Sequence, residues 1–467
     1  MLLHKDRLFP IDNHSKNIAR QLYNEVKNLP IICPHGHTDP QWFSENKNFT
    51  NATELLIIPD HYLLRMLVSQ GIKLEDLGIK AHNNLPFEQD HRKIWRLFAK
   101  NYYLFRSTPT RMWMDHTFEN LFNIDIPLNE KTADYYFDHI NSCLSQDSFR
   151  PREMYEKFNI EVLSTTEDAL SSLSHHQEIK DSTWDGRVIS TYRPDNVIDP
   201  DFEGFIENIK KFGNLCDEDT FTWLGYLNAH RKRRTYFISL GVKATDHGHP
   251  TPATADLSTE ESIKLYTTII KNEATVEEKE LFRAQMLTEM AKMSLEDGLV
   301  MQIHPGSHRN HSSEILNIFG RDKGFDIPTR TSYVEALKPL LNKFGNESKL
   351  KIIVFTLDES VYSRELAPLA GVYPCLKLGP SWWFHDSPNG MMRYREAVTE
   401  TAGYYNTVGF NDDTRAFPSI PARHDVARRV DCSFLANQIA KHIITEEEGK
   451  EIAIDLSYNL AKVSYNL

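Results

Sequence analysis

The feature that most constrains this chain is a recurrence. Short apolar or β-branched runs, each ending in polar or Gly/Pro residues, return eight times along its 467 residues. They lie at 31–38, 162–166, 187–193, 236–244, 300–304, 351–357, 375–379 and 407–412. Most of the later gaps carry helical patterning. Phe202, Phe205, Ile206, Ile209 and Phe212 repeat at i, i+3, i+4 and i+7, which puts one apolar stripe on a helix. Ser258-x-x-Glu261, Thr275-x-x-Glu278 and Ser332-x-x-Glu335 have capping-box spacing at the start of helix-like runs. Strands alternating with helices pair in parallel through right-handed crossovers. Eight of them predict an α/β fold closed as a (β/α)8 TIM-like barrel. The structural rival, a two-domain Rossmann-like arrangement, is weakened because no GxGxxG follows a strand.

One gap exceeds what a βα unit needs. It runs from the first strand to the second, is rich in aromatics (Trp42, Tyr62, Trp95, Tyr102, Tyr103, Trp113), and contains helix-like pieces at 61–69 and 91–103. It reads as a helical subdomain, 42–160, inserted within a single barrel domain of 1–467 and covering the barrel mouth. The tail after Arg423 reads as two C-terminal helices, 425–445 and 446–463.

Composition removes whole classes of function. A net charge of −12 argues against a protein that works on the nucleic-acid backbone. The five cysteines, at 33, 143, 216, 375 and 432, form no CxxC pair, so free thiols in a reducing cytoplasm are expected rather than a disulfide scaffold. No apolar run approaches the length of about 18 residues that a membrane helix needs. The N-terminal residues have no signal-peptide layout, so a cytoplasmic protein is expected.

Candidate chemistry begins with His35-Gly36-His37 at the end of the first strand. Residues two apart on a strand face the same way and can share one metal ion, and zinc accepts imidazole readily. With 20 histidines, chance alone predicts about one such pair. A second, His247-Gly248-His249, is indeed present. Position carries more weight than spacing, because barrel chemistry gathers at the C-terminal ends of strands. There the chain places His35 and His37, Arg193, Asp246 and His247, His304 and Arg309, Trp382 and Trp383, and Asp413 with Arg415. Three arginines among them suggest a local basic pocket for an anion.

His-x-His on strand one, a His on strand five and an Asp on strand eight resemble the amidohydrolase superfamily. Within it, further segments look like the uronate isomerase (glucuronate isomerase) family, in family order along the whole chain. They are Asp60-His61-Tyr62, Arg193-Pro194-Asp195, Thr245-Asp246-His247-Gly248, Met301-Gln302-Ile303-His304, His308-Arg309-Asn310, Gly379-Pro380-Ser381-Trp382-Trp383-Phe384 and Asp413-Thr414-Arg415-Ala416-Phe417. The chain departs from the family in having Asp39-Pro40 where Ser-Pro is frequent. The resemblance implies aldose–ketose isomerisation of D-glucuronate to D-fructuronate and of D-galacturonate to D-tagaturonate, by proton transfer between C2 and C1, in hexuronate catabolism.

The same resemblance implies His35, His37, His304 and Asp413 as ligands of one divalent metal ion, zinc by preference. Strand six, ending Phe355-Thr356-Leu357-Asp358, lacks the His that a second metal commonly uses in the superfamily. It implies Asp413 and Tyr62 as the acid/base pair with Arg415 in support, and His61, Arg193, Asp246, His247, Arg309 and Trp382 as substrate contacts. Asp412 stands beside Asp413, and either carboxylate could face the metal. Asp413 matches the family's Asp-x-Arg spacing to Arg415. The expected partner is a small sugar acid, without nucleic acid or membrane, and a homo-oligomer is expected from the family. Two alternatives remain: a metal-dependent hydrolase on the same barrel, and a sugar-acid-binding sensor without turnover.

Overall fold

The computed structural model describes residues 2–83 and 85–467. Its strands are short and parallel. Ile31–Cys33 pairs with Ile160–Ser164, which pairs with Val188–Ile189. A second ladder runs Leu376–Leu378, Ile352–Val354, Val300–Ile303, Ala244–His247, Tyr192–Arg193, Glu167–Asp168. The two ladders are one surface. Strands two and three each pass from the first into the second, and backbone bonds bridge the break, from Thr165 N to Ile189 O (2.8 Å) and Thr191 N to Thr165 O (2.9 Å). Beyond Leu378 the eighth run contributes only a parallel bridge at Thr407, not a strand over 407–412. It returns to the first strand where His37 N–H donates to Thr414 O at 2.9 Å. This is the strand order of a (β/α)8 barrel.

Side-chain alternation confirms which face is inside. Ile32, Val162, Ile189, Ala244, Val300, Ile353 and Val408 are buried among themselves and against the C-terminal residues Ala461 and Tyr465. Their neighbours Met301, Ile303, Ile352, Val354, Leu376 and Leu378 face the other way, into the core beneath the surrounding helices.

Three expected elements need correction. The run 236–244 starts as the end of a helix, Trp223–Ser239, passes through a turn, and reaches the strand only at Ala244. Its apolar residues bury one helical side, Phe237 being fully buried, and Gly241 at φ +90° turns the chain into the strand. Ser332 is not a cap: the helix Val334–Phe344 starts after Tyr333 without a side-chain cap. The capping boxes at Ser258 and Thr275 are both closed, as is a third at Thr445–Glu448. The tail helix spans Ile420–Ala440, starting before 425, because Pro421 in its first turn lacks only an N–H that has no helical partner there.

Between the first two strands the described residues are helical. His61–Val68 and His91–Asn101 fall where the sequence placed them, the second continued by a tight turn at Tyr102–Phe105. Trp95, Phe98, Tyr102, Phe118 and Tyr136 form its aromatic centre, with Phe118 and Tyr136 edge to face at 4.9 Å. That core is continuous with Ile31, Cys33, Ile160 and Leu163, the outer faces of strands one and two. The helical stretch is therefore packed onto the barrel's side, where it holds Tyr62 over the strand ends.

Candidate active site and metal centre

The strand ends open into a cavity of about 920 Å³. His35 and His37 stand just past the Ile31–Cys33 ladder, where the chain bends at His35 and the His37–Thr414 bond ties it to the eighth run. Their Nε2 atoms lie 3.4 and 3.2 Å from Asp413 Oδ1. Asp413 is at φ +41°, a left-handed backbone in which few non-glycine residues sit. That turn separates two adjacent carboxylates. Asp413 faces the histidines, while Asp412 points away to His424 Nε2 at 3.2 Å.

His35, His37 and Asp413 place one donor atom each within 4.8 Å of one another, two imidazole nitrogens and a carboxylate oxygen, a set that suits zinc. Asp413 Oδ1 is buried and receives no well-formed hydrogen bond, as a ligand atom would be. His304 stands beside this group, its ring 6.4 Å from that of His35, with Nε2 turned 2.7 Å from Asp246 Oδ1.

Outer contacts hold the group. Trp382 Nε1 donates to Asp413 Oδ2, and the same indole meets the His304 ring edge to face at 4.9 Å. Gln302 Nε2 approaches His35 Nδ1 at 3.4 Å, and Tyr465 O–H donates to Gln302 Oε1 at 2.9 Å. The third residue from the chain's end thus reaches up the barrel axis toward a candidate ligand.

Asp60 explains its own motif. It caps the helix His61–Val68 by accepting from Tyr62 N at 2.8 Å, which fixes His61 and Tyr62 in the first turn, stacked at 4.6 Å. Tyr62 O–H donates to Trp383 O at 3.5 Å. Arg423, buried, lies 3.7 Å over the Trp113 ring and 5.5 Å from that of Tyr62, and donates to Asp386 and to Asp412 O.

The titration state follows from burial and neighbours. Burial raises Asp413, but the close approach of His35 and His37 outweighs it, and the carboxyl is held well below its usual range. Burial lowers His37 to about 4 and His61 to about 3, so both are neutral imidazoles. Burial raises the Tyr62 hydroxyl, which stays protonated at neutral pH. Burial also lifts Glu167, in the cavity wall, to about 7 despite its bonds to Ser190 and Thr165.

The arginines differ from the expected basic pocket. Arg193, Arg309 and Arg415 all line the cavity, but each meets a carboxylate: Asp195 at 2.9 Å, Asp326 at 3.1 Å and Asp322 at 3.3 Å. Carboxylates outnumber guanidinium groups in the wall. A half-buried guanidinium needs a partner, and only for Arg193, with Asp195 in its own motif, does the sequence show both sides of the pair. Asp246 and His247, expected as substrate contacts, are fully buried and stand behind the residues that line the cavity. Asp246 reaches the site through His304 and, at 3.5 Å, Arg193. The sequence reading missed Gln302, Asp322 and Tyr465 as site components; of these only Gln302 lay inside a quoted motif.

The glucuronate isomerase family model matches residues 8–465, nearly the whole chain. The chain belongs to the glucuronate isomerase family. A uronate isomerase of Mesorhizobium japonicum is 60% identical over 462 residues, covering 99% of this chain and 98% of that protein. The crystal structure of glucuronate isomerase from Caulobacter crescentus superposes with a TM-score of 0.98 at 58% identity, covering 99% and 97% of the two chains. A uronate isomerase structure from Thermotoga maritima keeps a TM-score of 0.92 at 28% identity, with both chains fully covered. Family membership thus comes with the whole α/β architecture, helical stretch and tail included. No helix among the described residues is long and apolar enough to cross a membrane.

Proposed function

We propose that this protein is a uronate isomerase, interconverting D-glucuronate with D-fructuronate and D-galacturonate with D-tagaturonate. The observation that carries the reading is the meeting, in one cavity, of a His–His–Asp group, a protonated Tyr62 and Arg193, Arg309 and Arg415. One divalent ion, zinc by its donor set, would be held by His35, His37 and Asp413, with His304 beside them. When bound, it supplies Lewis acidity toward the substrate's oxygens and fixes the orientation of its ligands.

The chain's own groups meet the remaining needs. In the open-chain aldose a proton leaves C2 and arrives at C1. Asp413, ionised at neutral pH, is the base that takes it and returns it. Tyr62 keeps its proton and donates it to the C1 oxygen as the enediol forms; the C2 hydroxyl gives one back as the ketone appears. Arg415 and neutral His61 hydrogen-bond the developing charge. Arg193 and Arg309 offer donors to the distal carboxylate through the N–H groups their own carboxylates leave free. Trp382 holds Asp413 in place and walls one side of the cavity.

Incubation with glucuronate and with galacturonate, with and without chelator and beside a panel of esters and lactones, tests this reading. Ketose should appear from the uronates only, fall on chelation, and vanish in a folded Asp413→Asn variant. Near-wild-type turnover by Asp413→Asn would sink the assignment of the base.

A further inference from the structure

Two further clusters of metal-ligating type exist among the described residues: Cys33 with Asp412 and His424, and Asp195 with His247 and His249. The first is satisfied internally. His424 Nε2 and Asp412 Oδ2 share a hydrogen bond at 3.2 Å, and Cys33 Sγ packs 4.0 Å from the same nitrogen.

The second is not satisfied, and it contains the His247-Gly248-His249 pair. His247 uses Nε2 on Thr245 Oγ1 at 3.0 Å, leaving Nδ1 buried without a partner. His249 is only 3% exposed, and neither ring nitrogen has a partner. Each buried, unpaired nitrogen costs about 1–3 kcal/mol, and one ion would take one nitrogen from each ring. Asp195, one donor atom of which lies within 4.8 Å of one from each histidine, completes the group. Glycine between the histidines is required by the space. A Cβ at Gly248 would stand 2.4 Å from Arg193 Nη2 and 2.9 Å from Asp195 Oδ2.

Charge and protonation agree with a cation. The carboxylates of Asp195, Asp199 and Glu280 face His249 against the guanidinium of Arg283, while Arg193 flanks Asp195. Burial lowers His247 to about 3 and lowers His249 as well, and neutral imidazole is the ligand form. Asp195 and His249 also line the cavity, which leaves one side of the group open to water.

We propose that Asp195, His247 and His249 form a second divalent-cation site of the two-histidine, one-carboxylate type, which takes zinc independently of the His35–His37–Asp413 centre. It is additional to the single ion of the functional reading above. Filling it ties the end of strand four, Ala244–His247, to Asp195, just past the strand Tyr192–Arg193.

Stripped protein titrated with cobalt(II) chloride, followed by visible absorption and by metal content after desalting, counts the sites. Wild type should bind two equivalents. His249→Gln and Asp195→Asn should each bind one, and so should the paired His35→Asn, His37→Gln variant. Circular dichroism and melting verify each fold. If His249→Gln does not fold, Asp195→Asn and the paired variant carry the decision. Two results overturn the proposal: a single wild-type equivalent that disappears with His35 and His37, or two equivalents that both survive His249→Gln and Asp195→Asn. A single wild-type equivalent lost in His249→Gln but kept in the paired variant upholds this site and rejects the other.

Discussion

Replacing Arg193 by methionine tests how the substrate carboxylate is held. The guanidinium donates through Nε to Asp195 at 2.9 Å and stands 3.5 Å from Asp246 through Nη1. Burial alone would lower its pKa, but those carboxylates win and hold it above the ordinary arginine value, so it is charged. With Nε committed, the terminal amino groups retain donors for a uronate carboxylate. Two charge-assisted hydrogen bonds are worth about 1.5–3 kcal/mol each, so their loss removes about 3–6 kcal/mol of binding. That is roughly 10²- to 10⁴-fold in kcat/KM. The carboxylate is remote from C1 and C2, so the bonds act equally on ground and transition states, and the loss belongs in KM rather than kcat. The same change removes a cation from two buried carboxylates, a destabilisation of about 3–5 kcal/mol for a broken buried pair. His304, still 2.7 Å from Asp246, keeps it toward the lower end. Steady-state ketose formation and urea unfolding separate the two effects. Arg193→Lys is the control: it should restore most of the stability but little of the affinity, because an ammonium lacks the planar fork. A folded Arg193→Met with KM within twofold of wild type refutes the argument and moves the carboxylate to Arg309 or Arg415.

Two further predictions concern pH and the candidate ligands. Glu167 is lifted from an ordinary 4.5 to about 7 by burial, so its contribution to stability is complete below about pH 4.5 and is lost as pH rises through 7. The contribution amounts to roughly 3 kcal/mol, and Glu167→Gln should flatten that part of the unfolding free energy between pH 4.5 and 7.5; an unchanged slope means the carboxyl is not buried in solution. Tyr465→Phe removes the hydroxyl that bonds Gln302 Oε1, at the far end of the contact to His35. Outer-shell changes of this kind cost about 10- to 100-fold in metal affinity. Competition with a chromogenic chelator measures it, and an affinity equal to wild type in both Tyr465→Phe and Gln302→Leu would show that the chain's end has no part in the site.

Much of the fold was legible because period and punctuation are local properties. Short apolar runs and closed capping boxes at Ser258 and Thr275 mark elements through contacts a few residues apart. Residues 236–239 misled for the same reason, since a short apolar run fits either the end of a buried helix or a strand. Which it is depends on the sheet it packs against. The metal-type residues were legible as motifs, but their partners were not. Arg193 with Asp195 is two residues apart, whereas Arg415 with Asp322 and Tyr465 with Gln302 come from elements distant in the sequence.

The sequence by itself determined the alternation of strands and helices, the helical stretch between strands one and two, and the set of histidines, arginines and Asp413 at the strand ends. Tertiary structure alone decided which of two adjacent carboxylates meets His35 and His37. It also put Asp246 and His247 behind the cavity wall and left His249 buried with its nitrogens unpaired. The physical reason is common to all three. Spacing along a strand specifies relative direction only while the backbone stays regular. At the strand ends it does not, as Asp413 at φ +41° shows, and there side chains take their direction from neighbours brought together by closure of the barrel.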